Sequence, residues 1–144
     1  MKIRLTKEFD FEAAHALDGY LGKCKDIHGH SYYLMVTVIG EPKSKVGISD
    51  CGMVIDFGEI KHLVRKHILS IFDHRLILRN DSRFIGIEDN NERVRYVPYQ
   101  PTCENMLIEI VEILKSNISD DVQLIKVSLR ETRSSYAEWY ATDN

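Results

Sequence analysis

The chain has 144 residues and a formal net charge of −3 at pH 7, and 44% of its residues are hydrophobic. These values predict one globular domain, residues 1–144, with a buried core. The charge balance argues against nucleic acid as a direct partner, and the longest apolar run, Leu34 to Ile39, is too short to span a membrane. The three cysteines form no paired framework and no signal peptide is recognised, so the expected location is the cytoplasm.

Two long strands at the start of the chain are predicted to form an antiparallel hairpin. Residues Lys2 to Leu17 alternate between apolar and charged side chains, as in a strand with one buried face. The second strand, from about His28 to Gly40, is mainly apolar on both faces, which indicates that it is covered on both sides. The loop between them is short, so the end of the first strand is expected to lie near the start of the second.

Capping signals and apolar residues at helical spacing predict two helices. Asp56 followed by Glu59 resembles a capping box, and the first helix is expected to end near Phe72. Thr102 is a favourable N-cap for the second helix, which is expected to stop at Asn117. Before the first helix, residues 53–55 are expected to form a short extended piece. Between the helices, residues 79–99 are polar and irregular and are predicted to be a loop insertion with a role in function or in contact with a neighbour.

Two further strands, Val122 to Glu131 and Tyr136 to Ala141, complete the order strand, strand, helix, helix, strand, strand. Strands and helices that are segregated in this way are typical of α+β proteins. The predicted fold is therefore a four-stranded antiparallel sheet with two helices on one face.

Three histidines are predicted to meet at one end of this sheet. His28 and His30 are two residues apart, so their side chains share one face of a strand, and Gly29 leaves the other face bare. His15 lies on the apolar parity at the end of the first strand. Three neutral imidazoles with an open fourth position are typical of catalytic zinc sites, although imidazoles also suit iron, copper or nickel. Alternatively, each is an ordinary polar residue at a strand end.

Two further groups are candidates for proton transfer. Cys24 lies between two lysines, and positive charge or a metal favours the thiolate, which can remove a proton that a metal has acidified. It could equally be a free surface thiol or a fourth metal ligand. Asp73 and His74 are adjacent at a helix end and can form a proton relay in which the carboxylate fixes the tautomer of the imidazole. A helix terminus with a favourable histidine explains the pair as well.

Glu131 is a carboxylate on the apolar parity of a strand, which is costly without a partner. It could accept adjacent N–H donors, such as the amino-pyrimidinone edge of a pterin or guanine, or it could pair with Arg130 or Arg133. Thr102 and Glu104 are candidates for the same substrate site, although helix capping and first-turn acidity explain them equally.

Six short motifs occur in a fixed order over nearly the whole chain. They are Phe11-Glu12-Ala13-Ala14-His15, Cys24-x3-His28-Gly29-His30, Val54-Ile55-Asp56-Phe57, Asp73-His74, Pro101-Thr102-x-Glu104-Asn105 and Arg130-Glu131-Thr132. Together they resemble the family of 6-pyruvoyl-tetrahydropterin and 6-carboxy-tetrahydropterin synthases. The resemblance implies the tunnelling fold, whose subunits associate into a barrel, commonly as a hexamer of two stacked trimers with active sites between subunits.

The resemblance also implies a chemistry and a role for each candidate residue. The implied substrate is 7,8-dihydroneopterin triphosphate, from which triphosphate is eliminated without a redox cofactor. Zinc would be bound by three histidines, Cys24 would act as the base with a two-residue relay, and Glu131 would anchor the pterin ring. The implied zinc ligands are His15, His28 and His30, and the implied relay is Asp73 with His74.

The three residues between Cys24 and His28 resemble the spacing of the bacterial and archaeal queuosine-type branch, whereas the animal pyruvoyl-type branch tends to have a longer gap. The favoured product is therefore 6-carboxy-tetrahydropterin, formed with release of acetaldehyde and used in 7-deazaguanine formation. The nearest alternative is a 6-pyruvoyl-tetrahydropterin synthase. Two others are a non-catalytic, metal-stabilised protein that binds a pterin or purine, and a zinc hydrolase that uses a metal-bound water.

Overall fold

In the computed structural model, which describes residues 1–87 and 93–144, six strands occur in the described part of the chain: β1 (Ile3–His15), β2 (His28–Gly40), β3 (Arg75–Arg79), β4 (Val94–Val97), β5 (Gln123–Arg130) and β6 (Tyr136–Tyr140). They form one mixed sheet in the order β4-β3-β1-β2-β5-β6. β1 and β2, each of 13 residues, form an antiparallel hairpin, and β5 and β6 extend it on one side with antiparallel pairing. On the other side β3 pairs parallel to β1, and β4 pairs parallel to β3.

Two long helices lie on one face of the sheet. The first, α1, begins as an α-helix (Phe57–Val64), continues as a π-helical stretch (Arg65–Leu69) and ends with one α-helical turn (Ser70–Phe72). The second, α2 (Cys103–Asn117), is α-helical throughout. Two short 3₁₀ turns, Lys23–Lys25 and Ala141–Asp143, lie outside the sheet. Within the described ranges, no helix is long and apolar enough to cross a membrane.

The core lies between the helices and the alternate residues of the strands that face them. Phe11 of β1 stacks on Tyr32 of β2 with ring centroids 5.1 Å apart, and Phe72 at the end of α1 lies 5.9 Å from Phe11. α1 buries one residue in every four, namely Ile60, Val64, Ile68 and Phe72, each at most 2% exposed. The opposite face of β2 is only half-buried at Tyr33, Met35 and Ile39 in the single chain.

The main elements predicted from sequence are confirmed. The hairpin has the expected pairing, β2 has the expected bounds, and α2 begins after Thr102 and ends at Asn117. Asp56 does cap α1, but its carboxylate accepts from the amide of Gly58 at 2.7 Å rather than from that of Glu59. Residues 53–55 form no strand; the side chains of Val54 and Ile55 are nevertheless buried in the core.

The prediction of a four-stranded antiparallel sheet is wrong, because two further strands run parallel to β1. β3 and β4 have five and four residues, which is too short for a clear alternation. Ile77 and Leu78 are both fully buried although they are neighbours, so β3 is covered on both faces. β4 lies inside residues 79–99, which were expected to be a loop, and residues 88–92 of that segment lie outside the described residues.

Candidate metal centre and adjoining cavity

The β1–β2 hairpin places three histidines on the helix-facing side of the sheet. His15 is paired with His28 across the hairpin, and His30 is paired with Ala13. Because side chains alternate along each strand, all three imidazoles project to the same face. His15 is 2% exposed, and His28 and His30 are half-buried. The predicted meeting of the three histidines is therefore confirmed.

The ring nitrogens of the three histidines converge on one point. The Nε2 atoms of His15 and His28 are 3.0 Å apart, and one ring nitrogen from each histidine lies within 4.8 Å of the others. Two ligands bound tetrahedrally to zinc at about 2.0–2.1 Å would be separated by about 3.3 Å. The nitrogens of His15 and His28 are therefore close to the spacing expected around a small cation, and a nitrogen of His30 lies near enough to join them.

Backbone carbonyls fix the tautomers of two of these imidazoles. Nδ1 of His15 lies 2.6 Å from the carbonyl oxygen of Pro101, and Nδ1 of His28 lies 2.8 Å from that of Asp26. A carbonyl oxygen only accepts, so both Nδ1 atoms carry the hydrogen and donate it. In the neutral form both Nε2 atoms then present lone pairs to each other at 3.0 Å, an arrangement that a cation between them would stabilise.

The environment of His30 and the burial of the three histidines also fit metal binding. Nε2 of His30 is buried and makes no hydrogen bond with the described residues. Burial lowers the pKa of His15, against the opposing effect of its hydrogen bond to Pro101. Burial also lowers the pKa of His30, against the opposing effect of the Glu131 carboxylate. Both imidazoles are thereby kept neutral, which is the form that binds a metal. His15, His28 and His30 could thus hold a metal ion, and these ligands do not identify the metal.

Glu131 lies beside the three histidines, one residue beyond the end of β5. Its Oε1 accepts a hydrogen bond from the Tyr32 hydroxyl at 3.3 Å and lies 3.6 Å from Nε2 of His15. It is also 3.8 Å from Nε2 of His30. The alternative ion pair with Arg130 is not formed: Arg130 donates to the carbonyl of Arg133 and stacks over Tyr136. The carboxylate therefore faces the three histidines and the cavity beside them.

A cavity of about 290 Å³ is lined by five of the predicted site residues, one of which is the candidate metal ligand His15. Glu131 forms one side of it, and Cys24 comes from the loop between β1 and β2. Thr102 and Glu104 come from the start of α2, where the Thr102 hydroxyl also caps the helix by accepting from the Asn105 amide at 3.3 Å. The structure therefore brings Cys24, Glu131, Thr102 and Glu104 together with a candidate metal ligand.

Three residues of this region were missed by the sequence analysis. Tyr20 and Cys103 line the cavity, and Tyr32 donates to Glu131. Burial, followed by the Glu131 charge, raises the pKa of Tyr32 far above its ordinary value, so its hydroxyl remains a donor. Burial also raises the pKa of Cys103 to about 11, and its thiol donates to the carbonyl of Leu129 at 3.3 Å. Tyr32 lies on the same face of β2 as His28 and His30, so its place beside the histidines could have been predicted from the alternation of the strand.

Asp73 and His74 form the predicted pair but lie outside this cavity. Oδ1 of Asp73 is 2.8 Å from Nδ1 of His74 and also accepts from the amide of Glu12 at 3.0 Å. His74 has a left-handed backbone (φ 57°), and its side chain is 65% exposed. Its side chain lines a separate cavity of about 460 Å³, of which His30 is also part. Within one chain, therefore, the pair is formed but is not joined to Cys24.

A larger cavity, of about 530 Å³, lies between α1 and α2 and includes His62 and His67. None of the predicted site residues lines it. The chemistry suggested by the sequence is concentrated at the smaller cavity, where the buried His15 meets the half-buried Cys24 and Glu131.

Comparison with known proteins gives one family over nearly the full length. A family model described as 6-pyruvoyl tetrahydropterin synthase matches residues 4–142. A 6-carboxy-5,6,7,8-tetrahydropterin synthase of Rickettsia typhi is 36% identical over 141 residues, covering 94% of this chain and 99% of that protein. One of Haemophilus influenzae is 36% identical over 143 residues, covering 94% and 97%. The solved 6-pyruvoyl tetrahydropterin synthase of Caenorhabditis elegans has a TM-score of 0.71 and 25% identity, covering 98% of this chain and 96% of that one.

Proposed function

Because the chain belongs to the 6-pyruvoyl tetrahydropterin synthase family, we propose that it converts 7,8-dihydroneopterin triphosphate to 6-carboxy-5,6,7,8-tetrahydropterin. Acetaldehyde and triphosphate would be released, and the product would serve 7-deazaguanine formation for queuosine- or archaeosine-type bases. The observation that carries the proposal is the convergence of three imidazoles beside a cavity that contains both a thiol and a carboxylate. The relatives named 6-carboxy-5,6,7,8-tetrahydropterin synthase support this product over the pyruvoyl alternative.

We assign zinc to the three histidines, because three neutral imidazoles leave a fourth position for substrate. His15 and His28 are oriented for this role by the carbonyls of Pro101 and Asp26. When bound, zinc supplies a Lewis acid that polarises the side-chain oxygens of the substrate. The orienting carbonyls keep the imidazole nitrogens pointed at one centre, so little rearrangement is needed on binding.

Cys24 and Glu131 are proposed to act on the two ends of the substrate. The Glu131 carboxylate would accept two adjacent N–H donors from the amino-pyrimidinone edge of the pterin and so fix its orientation. The thiolate of Cys24, on the loop that forms another wall of the cavity, would remove a proton from the side chain of the substrate. Thr102 and Glu104 would bound the ring site at the start of α2.

Asp73 and His74 would serve as the proton relay in an assembly rather than within one chain. The pair is pre-formed, with the carboxylate fixing the imidazole tautomer at 2.8 Å, but it lines a different cavity from Cys24. A hexamer with sites between subunits, as the family resemblance implies, would allow His74 of one chain to reach the cavity of another. Such an assembly would also cover the outer face of β2, which is half-buried in the single chain.

A product assay tests the proposal directly. Zinc-loaded protein is mixed with 7,8-dihydroneopterin triphosphate, and the pterin products and acetaldehyde are measured by mass spectrometry. A 6-carboxy product with acetaldehyde supports the proposal, whereas a 6-pyruvoyl product assigns the chain to the other branch. Substrate binding without turnover would favour a non-catalytic pterin-binding protein. Turnover that survives Cys24→Ala would favour a hydrolase that uses a metal-bound water.

A further inference from the structure

One arginine contacts both ends of the loop that carries Cys24. The amide N–H of Arg83 donates to Oδ1 of Asp18 at 3.2 Å, at the start of the loop. Its guanidinium Nη2 donates to the carbonyl of Lys25 at 2.8 Å and to Oδ1 of Asp26 at 2.7 Å, at the end of the loop. Arg83 belongs to the segment after β3, nearly sixty residues away in the chain, so these contacts join two parts of the molecule that local structure would leave independent.

The residues that Arg83 contacts lead directly to the candidate site. The carbonyl of Asp26 is the acceptor that fixes the tautomer of His28. Cys24 is two residues before Asp26, and its own carbonyl accepts from the amide of Leu17 at 2.9 Å. By holding Lys25 and Asp26, the guanidinium of Arg83 constrains both a candidate metal ligand and the candidate base.

The middle of the loop is exposed and is held by local backbone hydrogen bonds, such as that from the Tyr20 amide to the Leu17 carbonyl at 3.2 Å. Leu21 is 99% exposed and Tyr20 is 53% exposed. Gly19 has a left-handed backbone with φ 78°. A segment with few buried apolar contacts opens easily, so anchors at its two ends have a large effect on its motion.

Charge and geometry favour arginine over lysine at this position. The Asp18 side chain is only 9% exposed, and Nε of Arg83 lies 3.9 Å from its Oδ1. A buried carboxylate is costly unless a positive charge lies near it. A guanidinium donates in several fixed directions at once, whereas an ammonium is a single flexible point charge. The guanidinium of Arg83 therefore donates to the two acceptors at the end of the loop, Lys25 and Asp26, while its charge lies beside the Asp18 carboxylate at the start.

We propose that Arg83 is a positioning residue that holds Cys24 and the orienting carbonyl for His28 in their working arrangement. This proposal rests on the proposed function, because it takes Cys24 as the base and His28 as a metal ligand. It gives a specific role to one residue of the segment 79–99, for which the sequence predicted only a role in function or in contact with a neighbour. Arg83 does not touch the cavity itself and acts through the loop.

The test compares Arg83→Ala with Arg79→Ala. Arg79 pairs with Asp81 in the same segment, so the control also removes a guanidinium and an ion pair but leaves the Cys24 loop untouched. Three quantities are measured: the rate of Cys24 alkylation by iodoacetamide, read peptide by peptide; zinc affinity by chelator competition; and kcat and KM separately. The first two need no substrate.

For Arg83→Ala we expect alkylation of Cys24 to accelerate at least threefold and zinc affinity to fall by about three- to tenfold. This loss is smaller than the roughly 10- to 100-fold loss seen when a direct partner of a metal ligand is removed, because Arg83 acts on His28 only through Asp26. We expect kcat to fall by about tenfold with KM within about twofold of wild type. Arg83→Lys should recover part of each change, and Arg79→Ala should match wild type. Asp26→Asn keeps the backbone carbonyl and should shift zinc affinity and Cys24 alkylation in the same direction as Arg83→Ala. It provides an independent test if Arg83→Ala does not fold.

Unchanged Cys24 alkylation and zinc affinity in both Arg83→Ala and Asp26→Asn would overturn the proposal. Equal effects in Arg79→Ala would also overturn it, because the changes would then reflect general loosening of the segment. If wild type forms no pterin product but alkylation and zinc affinity shift as expected, the proposed function fails while the positioning of the loop by Arg83 stands.

Discussion

Replacing Glu131 by glutamine tests whether its carboxylate binds the pterin ring. Glutamine keeps the size of the side chain and an oxygen that can accept from the Tyr32 hydroxyl, which now donates to Glu131 at 3.3 Å. It removes the charge and turns one acceptor into a donor. Of two adjacent pterin N–H groups, one would keep a neutral partner and the other would face an N–H group.

The size of the effect follows from these two losses. A hydrogen bond to a charged group contributes about 1.5–3 kcal/mol, and a donor left without an acceptor costs about 1–3 kcal/mol. Glu131 is 23% exposed, so solvent compensates for part of the loss, and we take about 3 kcal/mol in total. At about 1.4 kcal/mol for each factor of ten, affinity should fall by about 150-fold.

The assay is a calorimetric titration of zinc-loaded protein with 7,8-dihydroneopterin, which lacks the triphosphate leaving group. Zinc content is measured on the same samples. Glu138→Gln is the matched control, because Glu138 pairs with Lys126 at 2.7 Å on the opposite face of the sheet. An affinity within threefold of wild type at full zinc content would refute the anchoring role. Loss of zinc from Glu131→Gln would instead indicate that this carboxylate is part of the metal centre. Its Oε1 lies 3.6 Å from Nε2 of His15.

Three further predictions concern the metal, the assembly and the buried thiol. His28→Ala should lose zinc and activity together, and unchanged zinc by elemental analysis would count against the site. Cys24→Ala and His74→Ala should each be inactive alone, but their mixture, unfolded and reassembled together, should regain part of the activity if sites form between subunits; no recovery would contradict shared sites. The pKa of Cys103 is raised from 9.0 to about 11, so the unfolded chain loses this proton first, and the free energy of unfolding should decline between about pH 9 and 11. Cys103→Ala should lack that part of the decline in chemical denaturation.

The hairpin and the histidines could be predicted because they depend on alternation, a property that the sequence displays. Once β1 and β2 are antiparallel with a short connection, His15 is expected to lie near His28, and in the structure the two are paired directly. The orientation of the imidazoles could not be predicted, because it depends on the carbonyls of Pro101 and Asp26. Every residue has a carbonyl, so its use as a partner leaves no mark on the sequence.

The missed strands and the missed arginine have a different cause. β4 has four residues, and its pairing with β3 is parallel and distant in the chain, so the local pattern is too short to reveal it. Arg83 lies in a polar stretch where a charged residue is unremarkable, and its importance arises only from the loop that folds against it. Asp73 and His74 were correctly paired, but their distance from Cys24 is a property of the tertiary fold.

The π-helical stretch of α1 determines the direction in which the chain leaves that helix. A regular α-helix turns by about 100° per residue, so residues four apart are offset by about 40° around the helix axis. Over the three steps from Ile60 to Phe72 the offset would reach about 120°. The wider turn at Arg65–Leu69 takes up this drift, which is why all four stripe residues stay buried. Removing one residue from this stretch should rotate everything after it by about a quarter of a turn. Asp73 and His74 would then lose their hydrogen bonds with the Glu12 backbone. The length of this one wide turn therefore determines the orientation of the proposed relay.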